Sequence, residues 1–410
     1  MNFHDMPNYN CFFSKIDNLK KKIEQEYNAL LQLLGQYEPL DTARDELGRS
    51  IKTLSGVRDE FLAVQADIHD LKIATFLPLN LPLYSLVLFA IIPSAFVDRV
   101  LVRAPNTMHE VIEELVKILD LEHVFPEVRI KNVNRSAFLS LYASSADVIL
   151  FTGRYENAIK IQQQCPQALF LFNGGGVNPA IIFENADLHL ATDKLCEMRI
   201  FNSGQDCAGT DVIFVHENVI KEFINLLNGH LDKVRVGVYG DPMTQIGPIL
   251  RREYIEGLVS FLEHEKVNII RRGNVNKNLG LVHPYIILKS ASEHDGGFHE
   301  FFAPIFYILT FKTQEELTRL LLQPPIQDFS MYVSYFGYDP AMQYITKAKI
   351  LHNQIINDVE RGNNEYGGYG KKANFVAFGD KVTSRPILIS REINNFYIND
   401  GIVNPIKDVQ

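Results

Sequence analysis

The hydrophobic period changes at Ile73, and that change constrains the fold more than any other feature of the chain. From residue 14 to residue 70 the apolar positions recur at helical spacing with charged faces (KIDNLKKKIEQEYNALLQLL, then ARDELGRSIKTLSGVRDEFLAV), which predicts two or three amphipathic helices forming an appendage or a cover. From Ile73 onward short β-rich apolar runs take over: IATFL, RVLVR, VRIKN, ADVILFTG and ALFLF. Helical segments separate them: YSLVLFAII, HEVIEELVKIL, RSAFLSLYA and YENAIKIQQQ. Strands that alternate with helices are joined by crossovers rather than hairpins, so they predict a doubly wound, mostly parallel sheet.

The alternation resumes with NPAIIF, a helix around Asp187 to Phe201, DVIFVHE and the helix KEFINLLNGHL. Further strands are expected at FFAPIFYILTF, SMYVSYFGY and NQIIND, with helices at QEELTRLLL and AMQYITKAKIL. The expected organisation is a helical segment over 1–72, two doubly wound α/β domains over 73–174 and 175–375, and a C-terminal segment over 376–410. The Gly- and Asn-rich stretch Arg361 to Gly370 reads as a loop, because so many residues tolerant of positive φ rarely occupy an element interior.

At 410 residues, 46% hydrophobic and 22% charged, the chain can bury two packed cores, with 27 Phe and 17 Tyr replacing the absent Trp. A net charge of −9 and the lack of a basic stripe exclude a nucleic-acid binder; the Lys20 to Lys22 run is a solvated helix face. Cys11, Cys165, Cys196 and Cys207 form no CxxC pair and have no His partners at ligand spacing, so neither disulfides nor a metal is expected. Residues 1–13 lack the basic start and apolar core of a signal peptide, and a cytoplasmic location is expected. Ile73 to Val97 carries no charge and is long enough to span a bilayer. Pro78, Pro82 and Pro93 would break such a helix three times, so the run is read as strand, loop and helix, with no membrane span.

The chemistry centres on FNSGQDC, Phe201 to Cys207: a Gly-containing turn after a predicted helix, ending in a cysteine just before an apolar strand. A cysteine in a turn is ordinarily structural. As a thiolate it can also attack a carbonyl carbon, giving an adduct that loses hydride to a nicotinamide or accepts one from it.

Further motifs accompany this turn in order: PLNLPL (78–83), RVLVRAP (99–105), FTG (151–153), GGGVNPAIIF (174–183), VYGDPMTQIGPIL (238–250), EFFAP (300–304), IIND (355–358) and EYGGYG (365–370). Together these resemble the aldehyde dehydrogenase superfamily across Ile73 to Gly370. The resemblance implies that family's fold, with Cys207 as nucleophile and Asn80 as donor to the developing oxyanion. It places Gly153, Arg154 and Arg103 at the cofactor's phosphates and ribose, and makes Gly175, in the glycine motif, a further cofactor-binding position. It also puts Glu300 on the nicotinamide ribose and Phe302 near the ring, with Ala303 where the family has Gly. Cys196 is read as packing.

The chain departs from that family at Asn173, which occupies the place where hydrolytic members carry the glutamate that activates water. An amide takes no proton from water at neutral pH, so hydrolysis of an acyl-cysteine loses a general base worth ~10²–10⁴ in rate. Exchange with a thiol needs no such base. The resemblance therefore implies an NAD(P)-dependent enzyme interconverting an aldehyde and an acyl thioester, with coenzyme A or a carrier protein as the thiol.

Two readings stay beside it: an NAD(P)-dependent aldehyde dehydrogenase releasing free acid, with Glu184 or Glu197 as substitute base, and a non-catalytic scaffold. Arg103 and Arg154, with Asn106 where an acid often binds the ribose, favour NADP over NAD. The hairpin arm that the resemblance implies for subunit exchange is not expected here, and a homodimer is kept open. The aromatic-rich composition suggests an apolar acyl chain or ring.

Overall fold

The computed structural model describes residues 7–62, 64, 68, 70–339 and 346–399. Three helices open it: α1 (Pro7–Gln25), α2 (Tyr27–Leu34) and α3 (Leu40–Phe61). Their apolar stripes supply Phe12, Ile16, Leu47 and Phe61 to one core cluster with Ile73, Val100 and Val148. The helical segment is thus a cover over the first sheet, continuous with its core.

Sixteen strands follow among the described residues: β1 (Leu71–Phe76), β2 (Val97–Arg103), β3 (Val128–Ile130), β4 (Val148–Thr152), β5 (Leu169–Asn173), β6 (Asn178–Ile182), β7 (Thr210–His216) and β8 (Ile269–Arg271), then β9 (Val275–Asn276), β10 (Leu281–Val282), β11 (Tyr285–Ser290), β12 (Ile305–Phe311), β13 (Tyr332–Phe336), β14 (Lys349–His352), β15 (Asn374–Phe378) and β16 (Lys381–Thr383). The first sheet runs β16-β15-β5-β4-β1-β2-β3 and the second β14-β13-β6-β7-β12-β11-β8, while β9 and β10 form a separate hairpin. β5 through β3 pair in parallel, and β15 and β16 add antiparallel strands at the β5 edge. The second sheet is parallel apart from β8. These are the two doubly wound α/β layers that the strand and helix alternation dictates.

The uncharged run after Ile73 folds as β1, a loop, a short helix at Pro82–Leu86, a π-turn at Val87–Ile91 and a 3₁₀ turn at Pro93–Phe96. Among the described residues no helix is long and apolar enough to cross a membrane.

Three expected elements are corrected. FFAPIFYILTF is strand only from Ile305, because the residues before it form a loop gripped by side chains described below. NQIIND is not a strand: the chain pairs with β13 one segment earlier, as β14, and Asn353 turns out of the sheet at φ 53° before a helical turn at Ile356–Val359. The helix expected at AMQYITKAKIL lies partly on 341–345, outside the described residues, and Lys349–Leu351 pair as strand instead. The helices Glu253–His264 and Ile389–Asn399, and strands β11, β15 and β16, were not anticipated.

The chain passes between sheets at Gly174–Gly176, and this placement makes the site. Carboxyl ends of β1, β4 and β5 in the first sheet deliver Asn80, Gly153 and Asn173 to one cleft. Segments preceding β6, β7 and β12 in the second deliver Gly175, Cys207 and Glu300. A crevice beyond the carboxyl ends of parallel strands is where open α/β sheets bind ligands.

Candidate active site

Cys207 follows a backbone bend that its sequence alone would not hold. The helix Leu188–Ile200 stops at a turn in which Asn202 (φ 47°), Ser203 (φ 61°) and Gly204 (φ 77°) are all left-handed. The two non-glycine residues carry strain of ~1–3 kcal/mol each, so the surroundings must fix them. The backbone N–H of Asn202 donates to Thr42 Oγ1 of α3 (3.1 Å), and the N–H of Gly247 donates to Ser203 Oγ (2.8 Å). The Leu250 N–H donates to Gln205 Oε1 at 2.7 Å, and Gln205 Nε2 donates to the Pro248 carbonyl at 3.3 Å. A Cβ at Gly204 would lie 2.6 Å from the Ala303 backbone, so only glycine fits. The motif at 238–250 therefore acts as a buttress for the cysteine turn.

A buried ion pair locks the other side. Arg199, 1% exposed, donates to Asp211 Oδ1 (3.0 Å) and to the carbonyls of Thr210 (2.9 Å), Gly204 (2.7 Å) and Phe301. Asp211 in turn accepts from the N–H groups of Phe301 (2.7 Å) and Asn178 (3.2 Å). Burial raises the Asp211 carboxyl to about 7 against the pull of Arg199. Asn178 donates to the Cys207 and Gly209 carbonyls (3.0 and 3.3 Å) and accepts from Met331 and Tyr332. One network thus ties the cysteine loop, the start of β7 and the EFFAP loop together.

Cys207 is half-buried, and its Sγ lies 3.2 Å from the Tyr366 hydroxyl. Burial pushes the thiol far above its ordinary range, the carboxylates of Asp206 and Glu300 add to the rise, and the Tyr366 contact opposes it. Two cavities meet at this sulfur. The larger, about 990 Å³, is lined by Gly153, Gly174 to Gly176, Arg103, Arg154, Glu300 and Phe302. The smaller, about 120 Å³, is lined by Asn173, Asp206, Tyr366, Glu360 and, from α3, Arg49 and Glu60.

Asn80 lines both cavities, and its Nδ2 donates to the Gln205 carbonyl at 3.3 Å. A carboxamide has two N–H donors, so one remains for a ligand oxygen. Asn173 is 7% exposed; its Oδ1 accepts from Asn374 Nδ2 of β15 (3.2 Å) and its backbone carbonyl accepts from the Gly153 N–H (3.3 Å). Glu300 accepts from the Gly176 N–H at 3.1 Å and packs over Gly175, where a Cβ would fall 2.0 Å from its Oε1. Burial first, and the neighbouring Asp211 second, raise the Glu300 carboxyl to about 8. The Phe302 N–H donates to the Tyr254 hydroxyl oxygen at 3.3 Å.

Eight of the nine candidate residues line the larger cavity, and Asn173 lines the smaller one that meets it at Cys207. Arg103 bonds the Val133 carbonyl and Asn106 Oδ1, and the charge acting on it is that of Arg135. Arg154 acts instead on Arg251. The substitute bases Glu184 and Glu197 are corrected: both are exposed, bonded to Asn218 and Lys194, and line neither cavity. Carboxylates lining the cavities are Glu156, Glu253 and Glu300 in the larger and Glu60, Asp206 and Glu360 in the smaller. Sequence reasoning missed Tyr366, Asn178, Arg199 and Asp211; Tyr366 sits inside a motif already quoted, whereas the buried ion pair left no sequence signal.

Residues 98–321 match the model of the Aldehyde dehydrogenase family. Among curated proteins the chain is 28% identical over 219 residues to 4,4'-diaponeurosporen-aldehyde dehydrogenase of Staphylococcus aureus, covering 52% of this chain and 46% of that one. It is 27% identical over 261 residues to human 2-aminomuconic semialdehyde dehydrogenase, covering 58% and 53%. The chain thus spans about half the length of the curated relatives it matches. Among solved structures, glyceraldehyde-3-phosphate dehydrogenase GapN from Methanocaldococcus jannaschii, complexed with NADP, superposes with a TM-score of 0.79 at 19% identity, covering 95% of this chain and 88% of that one, a likeness of fold.

Proposed function

The chain belongs to the aldehyde dehydrogenase family, and from that premise we propose that it interconverts an aldehyde and an acyl thioester through an acyl group carried on Cys207, using NADP or NAD. The observation that carries the proposal is the neighbourhood of Cys207: an uncharged amide, Asn173, in the smaller cavity on one side and a large arginine-lined cleft on the other.

The large cleft suits a dinucleotide. Its volume of about 990 Å³ reaches the top of the ~300–1,000 Å³ range of ligand pockets, and the glycines at 174–176 leave the backbone bare. Gly153, Arg154 and Arg103 would hold the phosphates and ribose, Gly175 would admit the nicotinamide end, and Glu300 and Phe302 would fix its ribose and ring. A bound nicotinamide dinucleotide supplies the hydride acceptor or donor.

In the oxidative direction the Cys207 sulfur attacks the aldehyde carbon. The spare N–H of Asn80 donates to the oxygen, a contact whose loss costs ~10²–10³ in rate at comparable sites. Tyr366 donates to the thiolate and holds the sulfur toward the cleft. After hydride leaves, the acyl group remains as a thioester in the smaller cavity. Asn173, its carbonyl oxygen occupied by Asn374, offers water no proton acceptor. An incoming thiolate, from coenzyme A or a carrier protein, needs none. In the reductive direction the same thioester accepts hydride and leaves as aldehyde.

A second reading, release of free acid, draws support from Glu300: a carboxyl near 8 in the same cavity as Cys207 can take a proton from water above that pH. The two separate in one experiment. The enzyme is given an aldehyde and NAD(P)⁺ with and without coenzyme A, and NADPH with an acyl-CoA, while the reduced-cofactor absorbance and the mass of the Cys207 peptide are followed. Thiol-dependent turnover with an acylated Cys207 supports the thioester reading. Thiol-independent acid release supports the second, and cofactor binding without acylation would mean a scaffold.

A further inference from the structure

The chemistry above leaves one buried histidine unused: His294, 4% exposed, at the base of the loop that carries Glu300. Both of its ring nitrogens are engaged. The Gly296 N–H donates to Nδ1 at 2.9 Å, so Nδ1 holds no proton; Nε2 therefore holds one and donates it to the Tyr307 hydroxyl of β12 at 3.0 Å. The ring stacks on Phe298, with centroids 4.7 Å apart and planes at 14°. Phe298 in turn meets Phe214 of β7 edge-on and lines the large cavity. Arg319 of the helix Gln314–Leu321 fixes the loop's base by donating to the carbonyls of His294 (3.0 Å) and Ala291. Residues 295–300 contain no helix or strand and hang between two anchors. One is the Phe301 N–H on Asp211, at 2.7 Å, and the other is His294. Gly296, at φ 90°, and Gly297 leave the backbone between them free to turn once an anchor lets go.

We propose that His294 is the positioning residue of this loop: as a neutral ring it holds Phe298 in the cavity wall and Glu300 against Gly176, and as a cation it lets both go, so that hydride transfer is lost on acidification. The proposal rests on the nicotinamide reading of Glu300. Protonation at Nδ1 would set two N–H groups against each other at 2.9 Å, so the Gly296 bond must break. Burial first, then Lys289 of β11 and Arg319, hold the ring below its ordinary value near 6.5, against the pull of Asp295 on the loop and Glu265 just past the helix Glu253–His264. Neither carboxylate is free to serve the ring. Asp295 is exposed, lies 3.9 Å from Nδ1 and accepts from the Gly297 N–H, and Glu265 is paired with Lys289 at 3.1 Å. An opened loop returns the ring to water and to its ordinary value, so the open form binds the proton more readily. The closed form is thus favoured above about pH 6.5 and loses ground as pH falls below it.

Two readouts on the whole protein between pH 5 and 9 test this. The first is deuterium exchange of the 291–304 segment without added cofactor, corrected for the intrinsic pH dependence of exchange. The second is first-turnover NADPH formation from hexanal and NADP⁺. In wild type, exchange of the segment should rise on acidification while hydride transfer falls with the same midpoint, by up to ~10²-fold, the cost of misplacing a reacting group by about 1 Å. His294→Asn keeps an acceptor for the Gly296 N–H and cannot titrate. Its rate at neutral pH should stay within about tenfold of wild type, the worth of one neutral hydrogen bond, and this acid limb should vanish from both readouts. Two substitutions away from the ring should move the limb in opposite directions, Lys289→Gln to higher pH and Asp295→Asn to lower, and they serve if His294→Asn folds poorly. The limb near 8 that belongs to Glu300 should stay in place in all three. A limb that survives in His294→Asn, or stands still in both charge variants, overturns the proposal. Exchange that follows His294 while hydride transfer does not overturns the link to chemistry. Wild type that forms no NADPH at any pH, with exchange still following His294, brings down the nicotinamide reading and leaves the anchor standing.

Discussion

Replacing Arg199 by Met tests whether the buried ion pair holds the active-site loops. Arg199 is 1% exposed and Asp211 2%, and the pair is closed by hydrogen bonds to three carbonyls and two backbone N–H groups. Removing one partner of such a pair strands the other as an uncompensated buried charge, at a cost of ~3–5 kcal/mol. With an unfolding entropy of ~2.1 cal/mol/K per residue, 410 residues amount to ~0.86 kcal/mol/K, so the loss lowers Tm by about 3–6 °C. The deficit should also depend on pH. Burial already raises Asp211 to about 7, so the folded state binds a proton that the unfolded chain has released, and this contribution to stability fades as pH rises through 7. Without Arg199 the carboxyl rises further, so the gap from wild type should be wider at high pH than at mildly acidic pH. Thermal melts at pH 6 and pH 8.5 measure both numbers. Arg199→Met with Asp211→Asn, which leaves no buried charge, should recover part of the loss. A Tm within one degree of wild type at both pH values, or a gap that narrows at high pH, would refute the reasoning.

Cys207→Ser should abolish turnover while Tm and dinucleotide binding stay near wild type, because the sulfur faces a cavity and not the core; retained activity would remove the nucleophile. Asn173→Glu should raise free-acid release and lessen dependence on added thiol, and an unchanged acid-to-thioester ratio would mean that another group sets it. Gly175→Ala drives a methyl into Glu300 Oε1, so hydride transfer should fall with the fold intact; an unaltered rate would separate Glu300 from the ring. Any step that needs ionised Glu300 should rise with pH around 8 and flatten in Glu300→Gln, which a pH-rate profile reads directly.

Periodicity made the two sheets legible, since parallel strands buried on both faces leave continuous apolar runs such as ALFLF between amphipathic helices. The site residues were legible through resemblance, because each stands at a strand end where few residue types fit. What stayed hidden depends on partners distant in sequence. Arg199 looks like any basic residue at a helix C-terminus until Gly204, Asp211 and Phe301 close around it. β14 escaped because KAKIL keeps helical spacing, and only pairing with β13 decides in favour of strand.

Asn173 receives its partner from Asn374, 201 residues further along the chain. The β5 edge that these residues close is wholly buried in the finished fold, Leu169 through Asn173. During synthesis at ~5–20 residues per second, that edge stands open for roughly 10–40 s before β15 emerges. For that interval the first sheet presents an apolar strand with unpaired backbone groups to whatever is nearby, a template for wrong pairing. The pocket that is to shelter a reactive acyl group is therefore among the last parts of the protein to exist, and its assembly on the ribosome calls for a chaperone or for slow, dilute expression.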